Sequence, residues 1–347
     1  MNTSLIAFAV GLIASLALTV PVRQLALRVG MVDHPGPRKV HVQPMPLLGG
    51  LAIYFGVLIS LLVSMDGAAL RQVIGIYIGA TLVAVIGILD DRGLLHHQIK
   101  LFGAMPAAAV ILIASGIRAQ VFSMIWPGTF GVWADTALTV VWVVGITASF
   151  SILDHMDGLC AGVAAMASLF FAIFALESGQ LLVSTMAAAV LGAAAGFLRW
   201  NFKPAKIFMG DGGAMFLGFL MATLALKLRP VLTGGHNAAW LIPILILGAA
   251  IFDTTLISIS RSRRGFLPFT TPGKDHTAHR LSNLFGSQRT AVLLMYALGA
   301  FFGLLALAIS HLPARPAYAV AALAGVAVVG AVALLERAPY ERQTRKT

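Results

Sequence analysis

Five aspartates in this chain fall where they could act together. Asp90 and Asp91 are adjacent, Asp154 and Asp157 are three apart, and Asp211 lies among glycines in Phe208-Met-Gly-Asp-Gly-Gly213. Residues three apart share one face of a helical turn, so Asp154 and Asp157 can address one ligand together. Adjacent helical residues diverge by about 100°, so Asp90 and Asp91 are expected to do two different jobs. Such a set suits a hard cation: Mg²⁺ takes one or two carboxylates together with phosphate oxygens and keeps some of its waters. A glycine-rich turn just ahead of a helix adds backbone N–H groups and a positive helix end, which can receive a diphosphate.

His276, His279 and Arg280 fall at i, i+3 and i+4, one side of a helix if that stretch is helical. Two histidines at this spacing could bind zinc, but no third ligand stands near them in sequence. A cationic, hydrogen-bonding clamp on phosphates suits them better, with Arg280 able to bind bidentately. His96 and His97 read either as a similar pair or as interfacial residues without a role. Asp253 lies inside an apolar run eight residues before Arg261, or about 12 Å of helix. Cys160, the one cysteine, reads as a small packing residue between Gly158 and Gly162.

The elements that must position these groups are membrane spans. The 347 residues are 59% hydrophobic and 11% charged, whereas a soluble domain carries about 25% charged residues. About 20 apolar residues span the hydrocarbon core, and runs of roughly that length recur almost end to end. About eleven spans are expected, near 4–22, 48–65, 71–89, 99–116, 136–153, 158–176, 180–198, 213–229, 238–260, 290–311 and 315–335. The expected fold is therefore all-α and polytopic, with residues 1–347 as one integral-membrane domain. The first run, Leu5 to Val20, follows Met-Asn-Thr-Ser with no basic residue, so it reads as a retained helix and not a cleaved signal. Gly75-xxx-Gly79 and Gly192-xxx-Gly196 mark close helix packing. The stretch 117–135, with Trp126 and Trp133, reads as a short hairpin or interfacial piece with aromatic anchors.

Loops alternate sides, and one set holds 19 of the 24 lysines and arginines. The other set holds Arg71, Arg118, Lys227, Arg229 and Arg315. The positive-inside rule then places the N-terminus outside and the C-terminus in the cytoplasm. The net charge of +11 is explained by orientation and by attraction to anionic lipid, without nucleic acid. Lysine and arginine alone set this orientation, and it places Asp90, Asp91, Asp154, Asp157 and Asp211 all on the cytoplasmic side. His276, His279 and Arg280 fall there too. Carboxylates at the membrane boundary are expensive and point to function.

With these residues in view, the chain resembles the polyprenyl-phosphate N-acetylhexosamine-1-phosphate transferase family from about residue 33 to 290. The matching pieces occur in the family's order: Lys39-Val-His41-Val-Gln-Pro44-Met-Pro46 running to Gly49-Gly50, Ile88-Leu-Asp90-Asp91-Arg92, and Leu153-Asp154-His-Met-Asp157-Gly158. Asn201-Phe-Lys-Pro204 running to Phe208-Met-Gly-Asp211 follows, and Pro268 to His276-Thr-Ala-His279-Arg280 comes last. The resemblance implies a magnesium-dependent transfer, with Mn²⁺ as an alternative, in which a polyprenyl phosphate attacks the β-phosphorus of a UDP-sugar and UMP leaves. It implies that Asp211 is a metal ligand and that Asp90 and Asp91 handle the lipid phosphate, with Asp154 in the same catalytic set. Asp157, Asn201 and Phe208 match positions that hold uridine, Phe208 by stacking. Lys39 and His41 match a basic entry loop, and His276, His279 and Arg280 match the signature over sugar and phosphates. A bacterial inner-membrane location, a first membrane step of surface-polysaccharide synthesis and room for a homodimer also follow from the resemblance.

The chain departs from the family at three places. Ala148 and Ser151 stand where two asparagines are usual, so Ser151 fills a position that can ligate the metal. His155 stands where glycine is common, and Ala278 replaces a frequent histidine. The last loop lacks the triple histidine of the muramoyl-pentapeptide branch, so the nearer likeness is to the N-acetylglucosamine branch. A transporter with membrane-embedded carboxylates would distribute acids along a path, and a non-catalytic scaffold would need no complete acid set. The CDP-alcohol phosphotransferase class would crowd Asp-Gly and Ala-Arg elements into one helix pair, a spacing absent here.

Overall fold

The computed structural model describes residues 2–35, 43–64, 70–95, 97–232, 238–267 and 273–340. Lys39 and His41, His96 and the 268–272 part of the last motif lie outside the described residues. Among the described residues the chain is all-α apart from one two-stranded ribbon, and it divides into a unit of residues 1–229 and a unit of residues 230–347.

In the first unit, helices run up and down between two ends. They are α1 (Asn2–Arg28), α2 (Gly50–Ser64), α3 (Leu70–Asp91), the short α4 (His97–Ile99) leading through a π turn (Lys100–Ala104) into α5 (Met105–Ala114), and α6 (Phe122–Ile125). Then come α7 (Thr129–Leu153), α8 (Leu159–Glu177), α9 (Leu181–Asn201) and α10 (Gly210–Lys227). Helices suit this composition because every backbone group is satisfied within its own segment, which an apolar solvent demands. Strand β1 (Val32–Asp33) pairs antiparallel with β2 (Met45–Pro46), a feature the sequence reading did not anticipate.

Between helices in lipid there is no hydrophobic force to draw them together, so close packing and polar contacts must hold them. Gly192 and Gly196 of α9 show how: an added Cβ would run into the carbonyl oxygens of Phe8 and Leu12 on α1. Ser60 Oγ donates to the Ala7 carbonyl at 2.6 Å, and Ser4 and Ser184 hydroxyls meet at 3.1 Å, tying α1 to α2 and α9. Helix α10 is the innermost, with every residue but Asp211 and Lys227 buried, and the alanine-rich α8 and α9 come next.

The second unit holds α11 (Leu241–Ile246), α12 (Gly248–Arg263), α13 (Thr277–Phe285), α14 (Gln288–His311) and α15 (Ala314–Glu336). Its core is Phe252, Leu256, Phe302 and Val332. The expected single span over 238–260 is instead broken: the segments either side of Leu247 are bent by 77°. Gly248 at the break lies against the Phe302 ring, a place a side chain would fill.

Among the described residues seven helices are long and apolar enough to cross a membrane, or eight if the bent pair is one span. The protein is a multi-pass membrane protein. Of the expected eleven spans, those matching α2 and α5 are short apolar helices, and α10 is 18 residues long with a charge at each end. The expected span at 136–153 begins earlier, at Thr129, and takes up the latter part of the interfacial piece.

Candidate active site

One end of the first unit gathers the ends of α3, α7 and α9 with the starts of the π turn, α8 and α10. Helices α3, α7 and α10 bring acids and the π turn brings Lys100. Asp91 closes α3, Asp154 follows the last residue of α7, and Asp211 stands in the first turn of α10.

Asp90 and Asp91 do diverge. Asp90 Oδ2 meets Lys100 Nζ at 2.6 Å, and the same ammonium meets Asp211 Oδ2 at 2.6 Å. Lys100 thus bridges two carboxylates from different helices, all three side chains being about one-fifth exposed. Asp91 turns the other way. Its Oδ1 accepts the Asp211 N–H at 3.0 Å and its Oδ2 the Gly212 N–H at 3.4 Å. These are the donors that the start of a helix leaves without intrahelical partners, so Asp91 caps α10 from another helix. The glycine turn was expected to offer these N–H groups to a diphosphate, and Asp91 has taken two of them. Gly210 has φ of +77°, and an added Cβ would meet Asp91 Oδ2, so this turn needs glycine on two counts.

Ser151 Oγ donates to Asp211 Oδ1 at 2.8 Å, so both oxygens of Asp211 are held. Asp154 lies in the turn after α7. Burial first, then the charges of Asp211, Asp91 and Asp157, push its carboxyl well above the ordinary carboxylate range, against the Gly210 N–H it accepts. Four carboxyl groups thus crowd around one ammonium, and the raised Asp154 carboxyl is a mark of that crowding, an arrangement that a bound cation would relieve.

Asp157, Asn201 and Phe208 are brought to the same end, but two of them brace loops. Asp157 Oδ2 accepts the Ala205 N–H at 3.1 Å. The Asn201 amide is buried; its Oδ1 accepts the Gly158 N–H and its Nδ2 donates to the Ile207 carbonyl, both at 3.0 Å. Together they fix the 154–158 turn against the 202–208 loop. Phe208 bridges Leu47 through its backbone, donating to the Pro46 carbonyl while its own carbonyl accepts the Gly49 N–H, and its ring is partly exposed.

Lys100 was missed by sequence reasoning, which spent it in the count of loop charges. Its signal was available: a lone lysine at the head of the apolar run that follows Asp90 and Asp91. The π turn that begins at Lys100 is a widened helical turn of a kind that is frequent at functional sites.

In the second unit His276 caps α13, so the expected helical face carries His279 and Arg280 while His276 stands at its start. Asp253 holds that start: its Oδ1 accepts the Thr277 N–H at 2.7 Å, and its Oδ2 lies 2.9 Å from His276 Nδ1. The guanidinium of Arg261 can only donate, so its contact with His276 Nε2 at 3.3 Å leaves the ring proton on Nδ1, directed at Asp253. Arg261 also grips Asp275 with two bonds, of 3.0 and 2.8 Å, and Arg264 adds a third. Burial alone would raise the Asp275 pKa, but these guanidinium contacts bring it down to about 2. His279 is lowered to about 4, first by burial and then by the nearness of His276, so it is neutral at pH 7.

Arg280 is fully buried. Its guanidinium donates to the Asp275 and Leu335 carbonyls and to Ser260 Oγ, pairs with Glu336 at 2.9 Å, and lies 4.0 Å from the centre of the Tyr340 ring. With its donors so engaged, its geometry is that of a pin for the 273–280 segment and not of the phosphate clamp expected from its spacing.

Comparison with known proteins gives this end of the molecule a context. Residues 73–229, which include Asp90, Asp91, Lys100, Asp154 and Asp211, match the model of glycosyl transferase family 4. A probable undecaprenyl-phosphate N-acetylglucosaminyl 1-phosphate transferase of Bacillus subtilis is 37% identical over 87% of this chain and 84% of its own. The decaprenyl-phosphate N-acetylglucosaminephosphotransferase of Mycolicibacterium smegmatis is 33% identical over 79% of this chain and 74% of its own. A phospho-N-acetylmuramoyl-pentapeptide-transferase of Moorella thermoacetica is 31% identical, but over 54% of this chain and 64% of its own. The protein therefore belongs to glycosyl transferase family 4, nearer its N-acetylglucosaminyl 1-phosphate transferases than its pentapeptide transferases.

Proposed function

We propose that this protein transfers N-acetylglucosamine-1-phosphate from a UDP-sugar to a polyprenyl phosphate in the bacterial inner membrane. A phosphate oxygen of the lipid forms a bond to the β-phosphorus, the bond from that phosphorus to the oxygen bridging to UMP breaks, and UMP leaves with the electron pair. The observation that carries this reading is the gathering of Asp90, Asp91, Asp154, Asp211 and the Ser151 hydroxyl around Lys100 at one end of the first unit. A transporter would be expected to spread its carboxylates along a path through the bundle.

The oxygen donors fit a magnesium ion, which prefers carboxylate and hydroxyl ligands to nitrogen or sulfur. Asp211 and Ser151 would hold it, with Asp154 near them, and when bound it supplies positive charge to the diphosphate oxygens. Phosphoryl transfer needs mostly positioning and charge neutralisation. Lys100 fits the second need by contributing a fixed positive charge beside Asp90. Asp91 fits the first by holding the turn that carries Asp211. Asp157 and Asn201 keep the 202–208 loop in place for the partly exposed ring of Phe208, which suits stacking on uracil. His276 and His279 keep the donor-side role that the resemblance implies, with His279 acting as a neutral hydrogen-bonding group. The cytoplasmic placement of the carboxylates, the outside N-terminus and an eleven-pass topology remain part of this reading on the distribution of Lys and Arg.

The test is release of UMP by purified protein in detergent with undecaprenyl phosphate, Mg²⁺ and a panel of UDP-N-acetylhexosamines. Lipid-dependent release that EDTA abolishes, and that Asp211→Ala lowers by about 100-fold or more, is expected. Wild-type activity in Asp211→Ala would overturn the assignment of that residue, and silence across the panel by folded protein would overturn the transferase.

A further inference from the structure

At the opposite end of the first unit lies a second polar site that the transfer reaction does not use. Helix α10 has 18 residues and runs from the carboxylate end to this one, a distance of about 27 Å. The hydrocarbon core is about 30 Å thick, so the two ends lie at opposite membrane faces. Here the segments 116–120, 180–183 and 226–229 surround a cavity of about 420 Å³.

Five basic residues break the positive-inside pattern, and three of them, Arg118, Lys227 and Arg229, line this one cavity. Among the described residues no acidic side chain lines it. Some of this charge has structural work. Arg229 donates through one nitrogen to the Leu226 and Leu228 carbonyls at the end of α10 and through the other to Gln120 at 3.2 Å, while Lys227 donates to Gln72 at 2.7 Å. Arg118 differs: it lines the cavity and has no side-chain partner among the described residues. The first turn of α9, Leu181 to Val183, also lines the cavity, so the unpaired N–H groups and positive end of a 21-residue helix add to the cations. Gln180 holds this rim to Arg229 by two bonds, of 2.7 and 2.9 Å.

The surroundings are those of a lipid interface. Leu181 at the cavity is half exposed, and the neighbouring 122–133 segment presents Met124, Trp126, Phe130 and Trp133 to the outside. Tryptophan and other aromatic rings favour the headgroup level of a bilayer. An anion held by Arg118 in this setting would have apolar surface beside it for acyl chains.

We propose that this cavity is a binding site for the phosphodiester headgroup of an anionic phospholipid, in the leaflet opposite the one that faces the carboxylate site. Lys227 and Arg229 supply the field, the start of α9 supplies N–H donors, and Arg118 makes the direct charge-assisted contact.

The experiment is a thermal-shift titration of the full-length protein in detergent with dioleoyl phosphatidylglycerol, dioleoyl phosphatidylcholine or inorganic phosphate. It is run on wild type, Arg118→Gln and Arg118→Lys, with UMP release measured in parallel. Phosphatidylglycerol is expected to stabilise wild type at concentrations where phosphatidylcholine does not. Arg118→Gln should weaken that effect about tenfold with basal activity unchanged, and Arg118→Lys should restore most of it. Equal stabilisation by both lipids, or an unaltered phosphatidylglycerol response in Arg118→Gln, would overturn the site. A full response to inorganic phosphate alone would overturn the lipid assignment in favour of a free anion.

Discussion

The carboxylate of Asp91 accepts the backbone N–H of Asp211 at 3.0 Å, so the last residue of one helix caps the first turn of another. This places two neighbours in sequence, Asp90 and Asp91, in separate roles: one faces Lys100, the other builds the platform on which Asp211 stands. Losing a helix cap costs about 1 kcal/mol. Asp91→Ala is therefore expected to lower the melting temperature in detergent and to cut UMP release steeply. Asp91→Asn, which keeps an acceptor, should retain more of both. Equal loss in the two variants would show that the negative charge, not the cap, is what matters.

Lys100 places one positive charge between two carboxylates, and an uncharged residue there leaves them facing each other. Lys100→Met should reduce transfer by about tenfold or more while making the site more negative. Residual activity should then reach half its maximum at a lower Mg²⁺ concentration than in wild type. A magnesium titration of the two proteins checks this, and an unchanged midpoint would separate Lys100 from the metal site.

Ser151 positions Asp211 through one hydrogen bond of 2.8 Å. A bond of this kind to a charged group contributes about 1.5–3 kcal/mol, so Ser151→Ala should lower activity by about ten- to a hundredfold. Ser151→Asn keeps a donor and is expected to be tolerated. Complete inactivation by asparagine would mean that the surroundings have been rebuilt around the hydroxyl.

Arg280 can be tested as a pin against a clamp. Arg280→Lys cannot reproduce the fork that reaches Asp275, Leu335 and Ser260, and should destabilise the protein by about 2 kcal/mol or more. Its KM for the UDP-sugar should move little. A raised KM at an unchanged melting temperature would restore the phosphate role.

Acid should weaken the second unit in two stages. His279 has a folded pKa of about 4, below its ordinary 6.5, so the unfolded chain takes up its proton first and stability declines as pH falls from about 6.5 to 4. Asp275, at about 2, contributes stability that is full above about pH 4 and lost as pH falls through 2, on the order of 2 kcal/mol in all. Melting temperature against pH for wild type, His279→Gln and Asp275→Asn checks both. The first stage should vanish in His279→Gln and the second in Asp275→Asn.

By itself the sequence determined the membrane, the helices and the residues with chemical potential. Long apolar runs admit few other structures, because lipid leaves no partner for an open backbone. The glycines at 192 and 196 announced a close approach, and α1 supplies it. The acids were legible as a set because carboxylates at a membrane boundary are costly. Only the tertiary structure decided which of them face one another. Asp91 and Lys100 took their roles from partners 120 and 111 residues away at Asp211, and no local pattern encodes such a pairing. The break at Leu247 and the burial of Arg280 were hidden for the same reason: a run of apolar residues does not show where a glycine will meet a ring, and an exposed-looking arginine does not show how many carbonyls surround it. Side-chain type and spacing fixed what the groups could do, while helix packing chose which of them are positioned to act and which hold the others in place.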